Sequence, residues 1–263
     1  MSDTEAKPSA NMFTDKPLAG QHAVVTGGSR GIGATVSEDL ARMGAKISLT
    51  ARNPDTLDTH AETLRKAHGN QVFTKAGDMS KEGDIVAAFE GAVDALGPVD
   101  ILIANAGIGK SAPFHRMELD FWQAIIDLNL TGTFLCCKQV SPAMRQRGYG
   151  RIVNIASTVG LRGYPYIAAY SASKAGLSAL GQGLQAEFAG SPITISVLLP
   201  GYIETDINRG VRTALMTDTD TGVAAMVAAI EKESAWTPVP AWPWRPIAVT
   251  LRYLPSAITR RMV

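Results

Sequence analysis

Cysteine, histidine, net charge and long apolar runs are all scarce in this sequence, and each scarcity closes off a class of protein. The only cysteines among the 263 residues, Cys136 and Cys137, are adjacent within a helical pattern. Successive helical side chains point in different directions, so a structural disulfide is not expected, and a reducing cytoplasm is the expected compartment. The 4 histidines stand singly (His22, His60, His68, His115), without thiol or carboxylate partners at ligand spacing, so no metal site is expected. With 25 Lys and Arg against 24 Asp and Glu, the net charge of +1 gives no general attraction to nucleic acid. No stretch approaches the ~20 apolar residues of a membrane span. The first nineteen residues are polar and lack the apolar run of a secretory signal, so residues 1–19 read as a loose arm.

What is present is an alternation of short apolar runs with helical stretches. Six strands are expected: His22 to Thr26, Lys46 to Thr50, Gln71 to Lys75, Asp100 to Ala104, Arg151 to Ala156 and Thr194 to Leu199. Helices are expected over Gly33 to Met43, Asp55 to His68, Ile85 to Leu96, Glu118 to Arg147 and Tyr166 to Phe188. Strands separated by helices make parallel βαβ units, so the fold class is α/β, a Rossmann-like doubly wound parallel sheet in a single domain over residues 20–235. Ligands of such sheets bind beyond the carboxyl ends of the strands, at a topological switch point. Gly27, Arg52, Asp78, Asn105, Ser157 and Pro200 each follow one of the six strands, and so fall on that one rim.

Two local patterns on this rim carry chemistry. Gly27-x-x-x-Gly31-x-Gly33 lets backbone pass close to a pyrophosphate and opens a helix whose first amides favour negative charge. Tyr170 and Lys174 stand at i and i+4, on one helical face, thirteen residues after Ser157. A phenol ordinarily titrates near ~10, so ionisation near neutrality takes about 3 units, roughly 4 kcal/mol of preferential stabilisation of the anion. The ammonium four residues on is the expected source. Together the two patterns point to hydride transfer to or from a nicotinamide.

The glycine turn, Asp78, Asn105-Ala106-Gly107, Asn129, Ser157, Tyr170-x-x-x-Lys174 and Pro200-Gly201 together resemble the short-chain dehydrogenase/reductase family, in its order, from about Leu18 to Thr205. The resemblance implies catalytic roles for Asn129, Ser157, Tyr170 and Lys174. Ser157 would hold the substrate carbonyl oxygen and Tyr170 would give or take its proton. Lys174 would bind the nicotinamide ribose and lower the Tyr170 pKa, and Asn129 would hold a water linking Lys174 to solvent; an asparagine there could also simply kink or cap a helix. The implied cofactor contacts are Gly27, Ser29, Arg30, Gly31, Ile32, Gly33, Arg52, Asp78, Met79, Asn105, Ala106, Gly107, Pro200, Gly201 and Thr205, besides Tyr170 and Lys174. Asp78 would accept from the adenine amino group, although capping the next helix explains it equally well. After strand 2 the sequence reads Thr50-Ala51-Arg52-Asn53, with no acid for a ribose 2′-hydroxyl and with Arg52 and Arg30 suited to a 2′-phosphate, so NADP(H) is the expected cofactor.

The substrate is expected to be a small molecule carrying a carbonyl or secondary alcohol. Leu161 to Tyr166 and a lid-like stretch, Tyr202 to Gly222, are rich enough in apolar and aromatic residues for a hydrophobic substrate, or for packing beneath the lid. A cofactor-binding sensor or scaffold without turnover is the rival reading. Residues 236–263 depart from the family pattern. They hold Trp236, Trp242 and Trp244 among interspersed prolines, and no acidic residue. The prolines exclude a local helix and the tryptophans require burial. Packing on the sheet edge or a partner, covering the pocket, and peripheral contact with a membrane all remain open for this tail. Without the family's usual terminal strand a homodimer through the helices near residues 118–188 is expected before a homotetramer.

Overall fold

A computed structural model describes residues 16–205, 213–251 and 253. Seven parallel strands form one sheet: β1 (His22–Thr26), β2 (Lys46–Ala51), β3 (Val72–Ala76), β4 (Ile101–Ala104), β5 (Gly150–Ile155), β6 (Ile193–Pro200) and β7 (Trp236–Val239). Their order is β3-β2-β1-β4-β5-β6-β7, so the winding reverses between β1 and β4 and leaves a crevice beyond their ends. The helices are α1 (Gly31–Arg42), α2 (Pro54–His68), α3 (Glu82–Leu96), α4 (Leu119–Ile126), α5 (Gly132–Arg147), α6 (Ala168–Glu187), α7 (Thr219–Glu231) and α8 (Ala241–Leu251).

Burial on both faces explains why the inner strands read as nearly unbroken apolar runs. Along β1, Ala23 and Val25 point to one core with Ile101 and Ile103 of β4, while Val24 and Leu102 point to the other. Helices α1, α2 and α7 close the first face through Val36, Leu40, Leu57, Leu64, Met226 and Ile230. On the second, α3 and α5 bring Ile85, Phe89, Cys136, Cys137 and Met144, and α6 sets Leu177 on Val197 and Leu199. Each such fully buried side chain contributes about 1.5–3 kcal/mol. Cys136 and Cys137 are unpaired thiols that burial pushes up in pKa.

Five expectations are corrected. The helix expected from Glu118 to Arg147 is two helices joined by a single wide turn at Asp127–Thr131. The sheet has a seventh strand, β7, drawn from the tail; its Pro238, which has no N–H to give, sits on an edge strand where that loss is tolerated. The tail also forms α8 despite Pro243 and Pro246, with backbone outside the helical region at Trp242. Trp244 is 3% exposed but Trp242 is 79% exposed, so the tryptophans do not share one fate. At the other end, Lys16–Ala19 is a packed turn: Leu18 is buried and its N–H donates to the Met43 carbonyl at 2.9 Å. The rest of the expected arm, residues 1–15, lies outside the described residues, as do residues 206–212 of the lid-like stretch and 254–263 of the tail.

Candidate active site

The crevice is built first by the glycine turn. Gly27 and Gly31 hold φ of 66° and 53°, a left-handed region that favours glycine. A side-chain carbon on Gly33 would lie 2.3 Å from the Gly27 carbonyl oxygen, so only glycine lets α1 start this close to β1. No acidic residue occupies the first turn of α1, which leaves its amides to an anion. Asn105 ties the turn to β4: its Nδ2 donates to the carbonyls of Thr26 and Gly27 at 3.0 and 3.2 Å. The Thr26 hydroxyl in turn accepts from the N–H groups of Asn105 and Ala106, both at 3.0 Å.

Around this turn lies a cleft of about 880 Å³. Its lining brings together Gly27, Ser29, Arg30, Gly31, Ile32, Arg52, Met79, Asn105, Ala106, Gly107 and Thr205, residues up to 178 positions apart in sequence but expected in one site. Asn53, Thr56, Ile108, Leu128, Glu204 and Met216 also line it and escaped the sequence reading. Asn53 had a local signal, since it caps α2 by accepting from the Thr56 N–H at 3.1 Å. Leu128, in the wide turn, and Met216, beyond β6, had none. Asp78 is held just beside the lining residues Gly77 and Met79, and its Oδ1 accepts from the N–H and hydroxyl of Ser80. Burial alone would raise its pKa, but those two bonds, with Arg52 and Lys81 nearby, hold it below the usual carboxylate range. The carboxylate thus closes a local turn onto Ser80 and does not cap α3, whose N-cap is Lys81 with no side-chain bond.

A smaller cavity of about 90 Å³ adjoins the cleft, sharing Ile32, Asn105, Gly107 and Thr205 with it. Ser157, Tyr170, Lys174, Pro200 and Gly201 meet there. Ser157 stands two residues beyond β5, accepts from the Val159 N–H at 3.3 Å, and hydrogen-bonds the Tyr170 hydroxyl. Lys174 is only 5% exposed; its Nζ donates to the Ile155 carbonyl at 2.8 Å and lies 5.9 Å from the centre of the Tyr170 ring. Burial lowers its pKa to about 8. Burial also pushes the Tyr170 phenol up to about 12, against a smaller opposing effect of Ser157. In the protein alone, desolvation of the phenolate is the larger effect.

Asn129 is fully buried in the wide turn. Its Oδ1 accepts from the Ile108 N–H at 2.8 Å, while its Nδ2 donates to the Ile108 carbonyl and the Ser173 hydroxyl, both at 3.0 Å. Both amide hydrogens are engaged, so the side chain ties the loop after Gly107 to α6. Among the described residues no group of three His, Cys, Asp or Glu is placed to hold a metal, and no helix is long and apolar enough to cross a membrane.

Comparison with known proteins agrees with this geometry. The short chain dehydrogenase family matches residues 21–215. An uncharacterized oxidoreductase of Mycobacterium tuberculosis is 38% identical over 244 residues, 92% of this chain and 96% of its own, a span too long to leave out β7. Acetoacetyl-CoA reductase of Shinella zoogloeoides is 41% identical over 190 residues, 72% of this chain and 76% of its own. An NAD(+)-named 2-dehydro-3-deoxy-L-rhamnonate dehydrogenase of Sphingomonas is 40% identical over 190 residues, 72% and 74% of the two chains. A solved short-chain alcohol dehydrogenase structure from Sinorhizobium meliloti superimposes with a TM-score of 0.77 at 28% identity, covering 85% of this chain and 95% of that one. The chain belongs to the short-chain dehydrogenase family, oxidoreductases that act on CH–OH and C=O groups with a nicotinamide cofactor.

Proposed function

We propose that this protein is an NADP(H)-dependent carbonyl reductase or secondary-alcohol dehydrogenase acting on a hydrophobic small molecule. The observation that carries the reading is the hydrogen-bonded Ser157–Tyr170 pair, with Lys174 buried beside it, in a cavity that opens on the larger cleft. The larger cleft suits a dinucleotide: glycine amides and the first turn of α1 for the pyrophosphate, Asn105 to Gly107 for a ribose. The cofactor, when bound, supplies or accepts the hydride. Ser157 orients the carbonyl oxygen and Tyr170 moves the proton. A phenol held up near 12 is protonated at neutral pH, the state from which it gives a proton to a carbonyl during reduction. Asn129 and the Lys174 contact with Ile155 hold this constellation in place.

NADP(H) is favoured over NAD(H) because Arg52, just after β2, and Arg30, in the glycine turn, both line the cleft, and the residues that follow β2, Arg52 and Asn53, include no acid for a ribose 2′-hydroxyl. Val159 and Tyr202, which line the small cavity, support a hydrophobic substrate. Exposed Leu119 and Phe134 on α4 and α5 support a homodimer formed through those helices. Titrating the protein with NADPH and NADH by fluorescence, then assaying a panel of ketones, tests the reading directly. Tighter binding of NADH would overturn the cofactor assignment, and binding without turnover of any carbonyl would favour a sensor instead.

A further inference from the structure

The tail that departs from the family pattern reaches the catalytic cavity. Gly201 and Tyr202 line that cavity beside Ser157 and Tyr170. The preceding carbonyl, that of Pro200, accepts from the Thr158 hydroxyl at 3.2 Å and, at the long distance of 3.5 Å, from Ser157. On its other side the same turn is held by the tail. The Gly201 N–H donates to the carbonyl of Val239, the last residue of β7, at 3.0 Å. The Trp244 indole then occupies the space a side chain on Gly201 would need: a carbon built there would lie 2.0 Å from Cε2 and 2.1 Å from Nε1. The Trp244 ring also packs on Tyr202, centres 5.7 Å apart and planes tilted by 59°.

We infer that Trp244 is a positioning residue of the active site: through Gly201 and Tyr202 it sets the wall against which the substrate's apolar group lies. The contact is one of shape. The indole Nε1 is buried without a hydrogen-bond partner, so what Trp244 supplies is a flat apolar surface rather than a donor. Glycine at 201 and tryptophan at 244 are thus two halves of one fit, which gives the inference a signature that a general loss of stability cannot imitate.

The inference rests on the ketone-reductase reading, and the experiment separates the two. Parent enzyme, Trp244→Ala, Trp244→Phe, Gly201→Ala and the Trp244→Ala/Gly201→Ala double variant are assayed with NADPH on ketones of increasing apolar bulk. Trp244→Ala is expected to raise KM roughly tenfold for bulky ketones and to flatten the preference between bulky and small ones, with kcat moving about threefold or less; Trp244→Phe restores most of the preference. Gly201→Ala should cost roughly tenfold or more in kcat/KM in the parent and about threefold or less once the indole is gone. A ratio between two substrates does not depend on how much protein is folded, so an unchanged preference and simple additivity of the two substitutions would overturn the inference even if Trp244→Ala lowers Tm. Should the parent reduce no ketone, the activity reading fails, and hydrogen exchange still judges the positioning role. Trp244→Ala must then speed exchange at residues 201–205 while leaving β1 to β5 protected; uniform or absent change refutes it.

Discussion

Replacing Tyr170 by Phe removes a single oxygen from the centre of the site, and the structure says what that oxygen does. Its hydroxyl is hydrogen-bonded to Ser157 and sits where burial pushes the phenol up to about 12. Loss of one hydrogen bond costs about 1 kcal/mol, partly offset because a buried hydroxyl no longer needs a partner. For a chain of this size that corresponds to a fall in Tm of about 2–4 °C at most. The ring, its packing on α6 and the glycine-lined cleft are untouched, so NADPH affinity should stay within about twofold. Turnover should not. A positioned proton donor contributes roughly 100- to 10,000-fold, or about 3–5 kcal/mol, to the chemical step. Loss of NADPH absorbance reports turnover, a fluorescence titration reports binding, and a melt reports folding. Turnover within a few-fold of the parent, on any substrate the parent accepts, would refute the role assigned to Tyr170.

Arg52→Asp is expected to shift preference from NADPH toward NADH, measured as the ratio of the two dissociation constants; an unchanged ratio removes Arg52 from the cofactor site. Gly33→Ala should abolish cofactor binding before it abolishes folding, since the added carbon meets the Gly27 carbonyl and the Asn105 amide; equilibrium titration beside circular dichroism checks both. Lys174, lowered to about 8 by burial, binds fewer protons folded than unfolded between about pH 8 and pH 10.5. The stability of the parent relative to Lys174→Met should therefore rise with pH across that window, by on the order of 2–3 kcal/mol, in denaturant titrations at pH 7 and pH 10. A flat difference would mean the ammonium is better solvated than its contacts indicate. Deleting residues 236–263 should strip β7 from the outer edge of β6 and harm solubility although every proposed catalytic residue remains; a soluble, active truncation would show the tail to be dispensable.

The order of elements and the rim of the crevice were legible in sequence because each rests on local chemistry. Buried strands such as Ile101–Ala104 must be apolar on both faces, and a glycine turn between strand and helix has few substitutes. Strand β7 was not legible: four residues including Pro238 carry no alternation, and only pairing with β6 makes them a strand. The two prolines of α8 spoke against a helix, yet Pro243 stands near its start, where a missing N–H costs little. The break between α4 and α5 was hidden because one wide turn leaves the apolar periodicity almost unaltered. In the site, residue positions could be read and their protonation could not. Whether Tyr170 is raised or lowered depends on how much water reaches the phenol, a property of the folded surroundings rather than of the spacing to Lys174. The meeting of Gly201 with Trp244 is likewise tertiary, and neither residue announces the other.

The lacing of Thr26 and Asn105 across the gap between β1 and β4 bears on how a ligand enters. Four hydrogen bonds join the two strand ends there, so the floor of the crevice is set when the sheet forms and cannot part without breaking several of them at once. The entropy of ordering this floor is therefore charged to folding, and a dinucleotide arriving at it meets amides already aimed. Association on that side should be governed by encounter and orientation, with rates that respond to ionic strength through Arg30 and Arg52 more than to any slow rearrangement of the sheet.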